Sequence, residues 1–143
     1  MSIPSFNADG LLPPGIHSAT MAELEQKLGF SPKRYVLVEG LKQVTGELVK
    51  LGVTEVYVNG SFVTNKISPK DVDVYVPVPI GSVVFNEIAK RRDEWQAQNQ
   101  VDIYPAVTDV EEEGSLGFFE GLFGRTKEFP QRPKGYVKLV LRR

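Results

Sequence analysis

The sequence predicts an α/β fold of the α+β kind, a mixed sheet of about four strands with helices packed against it. Three observations predict it. Leu37, Leu41, Val44, Leu48 and Leu51 recur at steps of four and three, which draws an apolar stripe along one helix. Val53–Val58 is rich in β-branched and aromatic residues, and Asp71–Val76 alternates strictly between two faces. The elements run α-α-β-β-α-β-β, with no internal repeat and no linker long enough to separate two domains, so residues 1–143 form a single domain.

Residues 1–19 are an extended, turn-rich arm carrying Asn7-Ala8-Asp9-Gly10 and Leu11-Leu12-Pro13-Pro14-Gly15, with Leu11, Leu12 and Ile16 as its anchors. Thr20 and Glu23 form a capping box that opens a short helix ending at Gly29. Ser31 caps the next helix, Pro32 suits its first position, and Gly52 sits just past its end. The strand 53–58 follows, then the strand 71–76, which Pro77 and Pro79 close. Ser82 caps a third helix that runs to about Gln98, with Val84, Ile88 and Trp95 at helical spacing. Val101–Val107 is a third strand, whose Pro105 implies an edge position or an early end, and Gly135–Leu141 is a fourth. Residues 108–134 read as a flexible or partner-binding segment. It holds the acidic run Glu111–Glu113, a glycine-aromatic stretch around Phe118, Phe119, Leu122 and Phe123, and a basic end.

A chain of 143 residues and 15.9 kDa can bury about two-thirds of its unfolded surface, enough for a core without staples. The absence of cysteine excludes disulfides, thiolate metal sites and cysteine nucleophiles, and the single histidine, His17, excludes sites that need two. His17 lies among hydroxyl residues near a helix start and is expected to bond locally. A net charge of −1 advertises neither nucleic acid nor membrane. The N-terminus lacks the pattern of a signal peptide and no apolar run reaches membrane-spanning length, so a soluble, cytoplasmic protein is expected. Its chemistry then falls to carboxylates, hydroxyls, lysines and arginines. Seven of these bases crowd the last nineteen residues (Arg125, Lys127, Arg132, Lys134, Lys138, Arg142 and Arg143). They make either a solvated tail and strand end or a contact to triphosphate or nucleic acid, with Lys134 the preferred phosphate partner.

The segment that points to chemistry is Val58-Asn59-Gly60-Ser61, nine further residues, then Asp71-Val72-Asp73-Val74. Gly60 lets backbone approach a ligand closely, and Ser61 offers a hydroxyl beside amides that would cradle an anion. Asp71 and Asp73 project from one strand face with α-carbons about 6.6 Å apart, suited to one magnesium ion or a pair. Alternation alone would also put them on a solvated strand face. Asp102, flanked by Val101 and Ile103, is the natural third carboxylate from a neighbouring strand. An oxygen-only donor set suits Mg2+ or Mn2+ and argues against zinc.

Glycine-serine, a nine-residue gap and an aspartate-x-aspartate pair between apolar residues resemble the signature of the polymerase β-like nucleotidyltransferase superfamily, whose smallest members are minimal nucleotidyltransferases. Phe6-Asn7, Leu11–His17, Gly60–Thr64 and Pro133-Lys134-Gly135 are further similar to short bacterial and phage proteins labelled nucleotidyltransferase-like. The resemblance implies a nucleotidyltransferase-like fold and a magnesium-dependent transferase. In it Gly60 and Ser61 hold the β- and γ-phosphates of a nucleoside triphosphate. Asp71 and Asp73 bind two magnesium ions, and Asp102 completes the site towards an acceptor hydroxyl on a protein or nucleic acid. Small relatives act as antitoxins that modify a partner toxin, and the resemblance makes AMP the foremost group transferred. This chain has no room for the helical domain that larger members add, so recognition falls to the arm, the 108–134 segment or another protein. Two other classes remain open: a catalytically inactive nucleotide-binding module acting by contact with a partner protein, and a plain interaction domain with incidental carboxylates.

Overall fold

In a computed structural model, which describes residues 3–108 and 133–141, local signals start each helix. The Thr20 backbone N–H donates to Glu23 Oε1 at 3.0 Å, and the Glu23 N–H donates back to Thr20 Oγ1 at 3.3 Å, which opens α1 at Met21–Leu28. Ser31 Oγ accepts from the Arg34 N–H at 3.2 Å and starts α2 at Pro32–Lys50. Ser82 Oγ does the same for the Phe85 N–H at the head of α3, Val83–Asn99.

Five strands make one sheet: β1 Gly15–Thr20, β2 Glu55–Asn59, β3 Val72–Val78, β4 Val101–Val107 and β5 Gly135–Val140. Their order is β1-β5-β2-β3-β4. The outer pairs β1/β5 and β3/β4 are parallel, while β5/β2 and β2/β3 are antiparallel. The helix α3 is the crossover between β3 and β4, as a parallel pair requires.

Alternation sorts the two faces. Val56, Val58, Val72, Val74, Val76, Val101, Ile103, Val137 and Leu139 are buried in one apolar cluster with Leu24 and Leu28 of α1, Leu37, Leu41, Val44 and Leu48 of α2, and Ile88 and Trp95 of α3. The residues between them, Tyr57, Asp73, Tyr75, Asp102, Tyr104 and Tyr136, share the other face. There Tyr75 stacks on Tyr104 with ring centroids 5.3 Å apart and Tyr57 meets Tyr136 edge-on at 5.9 Å.

The structure corrects the sequence reading in four places. Gly15–Thr20, expected within an extended arm, is a strand paired in parallel with β5 from Gly15↔Gly135 to Thr20↔Val140, which brings the expected sheet of about four strands to five. Of the arm's expected anchors, Leu12 is fully buried, Leu11 is half-buried and Ile16 is exposed. Pro77 does not close β3, which continues to Val78. Pairing with β2 stops at Tyr75, so beyond it β3 has only β4 as a neighbour and a missing N–H is tolerated. The second strand is Glu55–Asn59, since the Val53 N–H still caps α2 by donating to Leu48 O at 3.0 Å. Pro105 lies on an edge strand as expected, β4 being last in the sheet among the described residues. The acidic run Glu111–Glu113, the aromatics Phe118, Phe119, Leu122 and Phe123, and Arg125, Lys127, Arg132, Arg142 and Arg143 lie outside the described residues. Among the described residues no helix is long and apolar enough to cross a membrane.

Candidate metal centre

The parallel register of β3 and β4 sets Asp73 directly beside Asp102, and Asp71 stands just ahead of β3. One carboxylate oxygen from each lies within 4.8 Å of the other two, all three residues being half-buried. Donor oxygens of a magnesium octahedron are about 3 Å apart when adjacent and about 4 Å apart when opposite, so the three carboxylates would draw together to share one ion. Asp73 and Asp102 meet here because the register of the two strands is fixed by the valines on the opposite face, and Asp71 joins them from the residue just before β3.

Gly60 adjoins this trio. Its φ is +77°, and a Cβ there would stand inside van der Waals contact with Asp73 Oδ2, so only glycine lets the chain turn at that point against the carboxylate. From Gly60 the chain makes a 3₁₀ turn to Val63, where the Thr64 N–H donates to Ser61 O at 3.1 Å. The arm lies along this loop. Leu11 bridges Thr64, and the Asn65 N–H donates to Gly10 O at 2.9 Å. Together they wall a cleft of about 530 Å³ that Gly60, Ser61, Asp71, Asp73, Asp102 and Lys134 all line, with Asp9, Gly10, Leu11 and Lys66 beside them. All six residues singled out in the sequence thus face one hollow. Lys134 is 7 % exposed there, just ahead of β5.

Asp102 also borders a second recess, of about 420 Å³, on the α3 side, with Asp71, Arg92, Gln96 and Tyr104. Tyr104 Oη donates to Asp102 Oδ2 at 2.6 Å, and an Arg92 Nη lies 3.5 Å from Asp102 Oδ1. The Arg92 guanidinium covers the Tyr104 ring at 3.9 Å. Burial and then the bond to Asp102 raise the Tyr104 phenol above its ordinary range, which keeps its proton in place as the donor. Burial and then the Asp73 charge raise the Tyr75 phenol as well. His17 stays local, its Nε2–H donating to Pro13 O at 2.6 Å.

Sequence reasoning missed Arg34. It is fully buried, and its five N–H donors meet five backbone carbonyls: Leu28 O, Ser61 O, Phe62 O, Thr64 O and Lys66 O. The distances include 2.9 Å from Nε to Lys66 O and 2.7 Å from Nη1 to Phe62 O. Phe30 and Phe62 lie against the guanidinium at 4.2 and 5.0 Å. Burial pushes its pKa down to about 10. A signal was present, since Arg34 is in phase with Leu37, Val38 and Leu41 and so falls on the apolar stripe of α2.

No curated protein and no solved structure matches the chain. A family model does, over residues 4–140, which takes in the arm, the loop from Gly60, the three aspartates and Lys134. The chain belongs to that family, described as a family of unknown function (DUF6932).

Proposed function

We propose that the protein is a magnesium-dependent nucleotidyltransferase that moves a nucleoside monophosphate, AMP foremost, from a nucleoside triphosphate to a hydroxyl on a protein or nucleic acid. One observation carries this reading: three carboxylates meet within 4.8 Å in a cleft that also holds Gly60-Ser61 and Lys134. Four aspartates and two lysines line that cleft, so a bare triphosphate is repelled more strongly than its magnesium complex. The oxygen-only donor set fits a hard cation.

Asp71, Asp73 and Asp102 would hold the metal, which when bound neutralises charge on the reacting phosphate and on the leaving pyrophosphate. Gly60 lets the backbone approach the β- and γ-phosphates, while the Ser61 hydroxyl and the Lys134 ammonium contact them. The acceptor oxygen attacks the α-phosphorus in line, one P–O bond forms, and the bond to pyrophosphate breaks. Asp102, oriented by Tyr104, faces the acceptor and takes its proton. An antitoxin that modifies a partner toxin is the biological setting suggested by the resemblance alone.

The test incubates the protein with each labelled triphosphate, magnesium and cell extract as acceptor source, beside Asp73→Asn. Label transferred by the wild type and lost in the variant supports the enzyme, and equal labelling removes Asp73 from the mechanism. A second reading, a nucleotide-binding module acting by contact, is favoured by the engagement of Asp102 with both Tyr104 and Arg92, which occupies part of the third carboxylate. Magnesium-dependent triphosphate binding without any transfer selects it.

A further inference from the structure

Burying a guanidinium is costly, and the cost is normally met by a carboxylate. Arg34 has none. Among the described residues all its partners are neutral carbonyls, and a methionine or leucine would fill the same volume without removing a charge from water. What a hydrocarbon would not do is fix the loop. Four of the five carbonyls, those of Ser61, Phe62, Thr64 and Lys66, belong to the segment that follows Gly60 and walls the cleft.

We infer that Arg34 is a positioning residue for phosphate binding: by drawing these four carbonyls inward, it holds the Gly60–Lys66 loop in the shape in which Ser61 and the loop backbone meet a magnesium-bound polyphosphate. A trans peptide sets C=O and N–H on opposite sides, so each carbonyl turned towards Arg34 turns the amide of the next residue away from it. The planar fork is required, because lysine has three donors on a point charge and cannot span five acceptors. Phe30 and Phe62 keep the guanidinium plane from rotating. Its charge, unmatched by any carboxylate among the described residues, also sits beside the loop that would receive an anion. This inference rests on the polyphosphate reading of the cleft.

The test uses the full chain, with magnesium tripolyphosphate as a base-independent probe in calorimetry and Mn2+ alone as a probe of the aspartates by electron paramagnetic resonance. In a folded Arg34→Lys variant, Mn2+ affinity is expected to stay within about twofold of wild type while the tripolyphosphate Kd rises about tenfold or more. Unchanged tripolyphosphate binding, or equal losses for both probes, overturns the inference. Wild-type protein that binds Mn2+ but no tripolyphosphate overturns the functional reading and this inference with it, whereas wild-type binding that Arg34→Lys leaves intact overturns the inference alone. Should the variant not fold, the Nε–H resonance of Arg34 in wild-type protein decides. A shift on adding magnesium tripolyphosphate that magnesium alone does not cause supports the role, and an unmoved resonance removes it.

Discussion

Asp73 stands where three constraints meet. It faces Asn59 across β2, Asp102 across β4, and Gly60 at the turn. Asp73→Asn keeps the volume and removes the charge, so Mn2+ affinity measured by paramagnetic resonance is expected to fall by more than about 100-fold, beyond what losing an outer-shell partner costs. Tyr104→Phe removes only the donor to Asp102 and is expected to weaken Mn2+ about tenfold in the same titration. Tyr75 gives a pH signature. Its folded pKa lies above its ordinary value near 10, so the unfolded chain releases the phenolic proton first. The stability it contributes is therefore whole below pH 10 and is lost as pH rises towards the folded value. Denaturant midpoints are expected to decline as pH rises above about 10, and less steeply in Tyr75→Phe. The carboxylates, Gly60-Ser61 and Lys134 could be singled out in the sequence by residue type and spacing, and they line one cleft. For Arg34 only its burial was legible, in its phase with the stripe of α2, since its partners are main-chain carbonyls that no side-chain pattern reveals.

At the scale of elements, helices were read more closely than strands because their signals are local. Ser31-Pro32 and the Leu37–Leu48 stripe specify α2 from within, and the helix is Pro32–Lys50. Ser31→Ala is expected to lower stability by about 1–2 kcal/mol in urea titration, the upper part of the capping range, because Ser31 Oγ also donates to Ile67 O at 2.6 Å. Leu41→Ala, at a fully buried position between helix and sheet, is expected to cost about 2–5 kcal/mol in the same measurement. β1 escaped because Gly-Ile-His-Ser-Ala-Thr has few β-branched residues, and its pairing is decided by β5 far along the chain. Pro77 misled for a related reason. Whether a strand tolerates proline depends on which neighbour lies beside it, a property of the sheet rather than of the segment.

At the scale of the whole molecule, the described helices pack their apolar residues on the valine face while the acids and tyrosines lie on the other, so the candidate site is on the face opposite that apolar cluster. On the proposed reading, its acidic excess would make polyphosphate affinity depend on the cation. Calorimetry with tripolyphosphate is expected to register binding in millimolar magnesium and none in its absence. The pairing of Gly15 with Gly135, 120 positions apart, has a further consequence for synthesis. A nascent chain carries β1 and β2 without the strand that joins them until β5 has been made, and β5 must then slot between two segments made much earlier. Closure of this sheet therefore waits on β5, and a chain halted before residue 135 would leave β1 without the partner it has here.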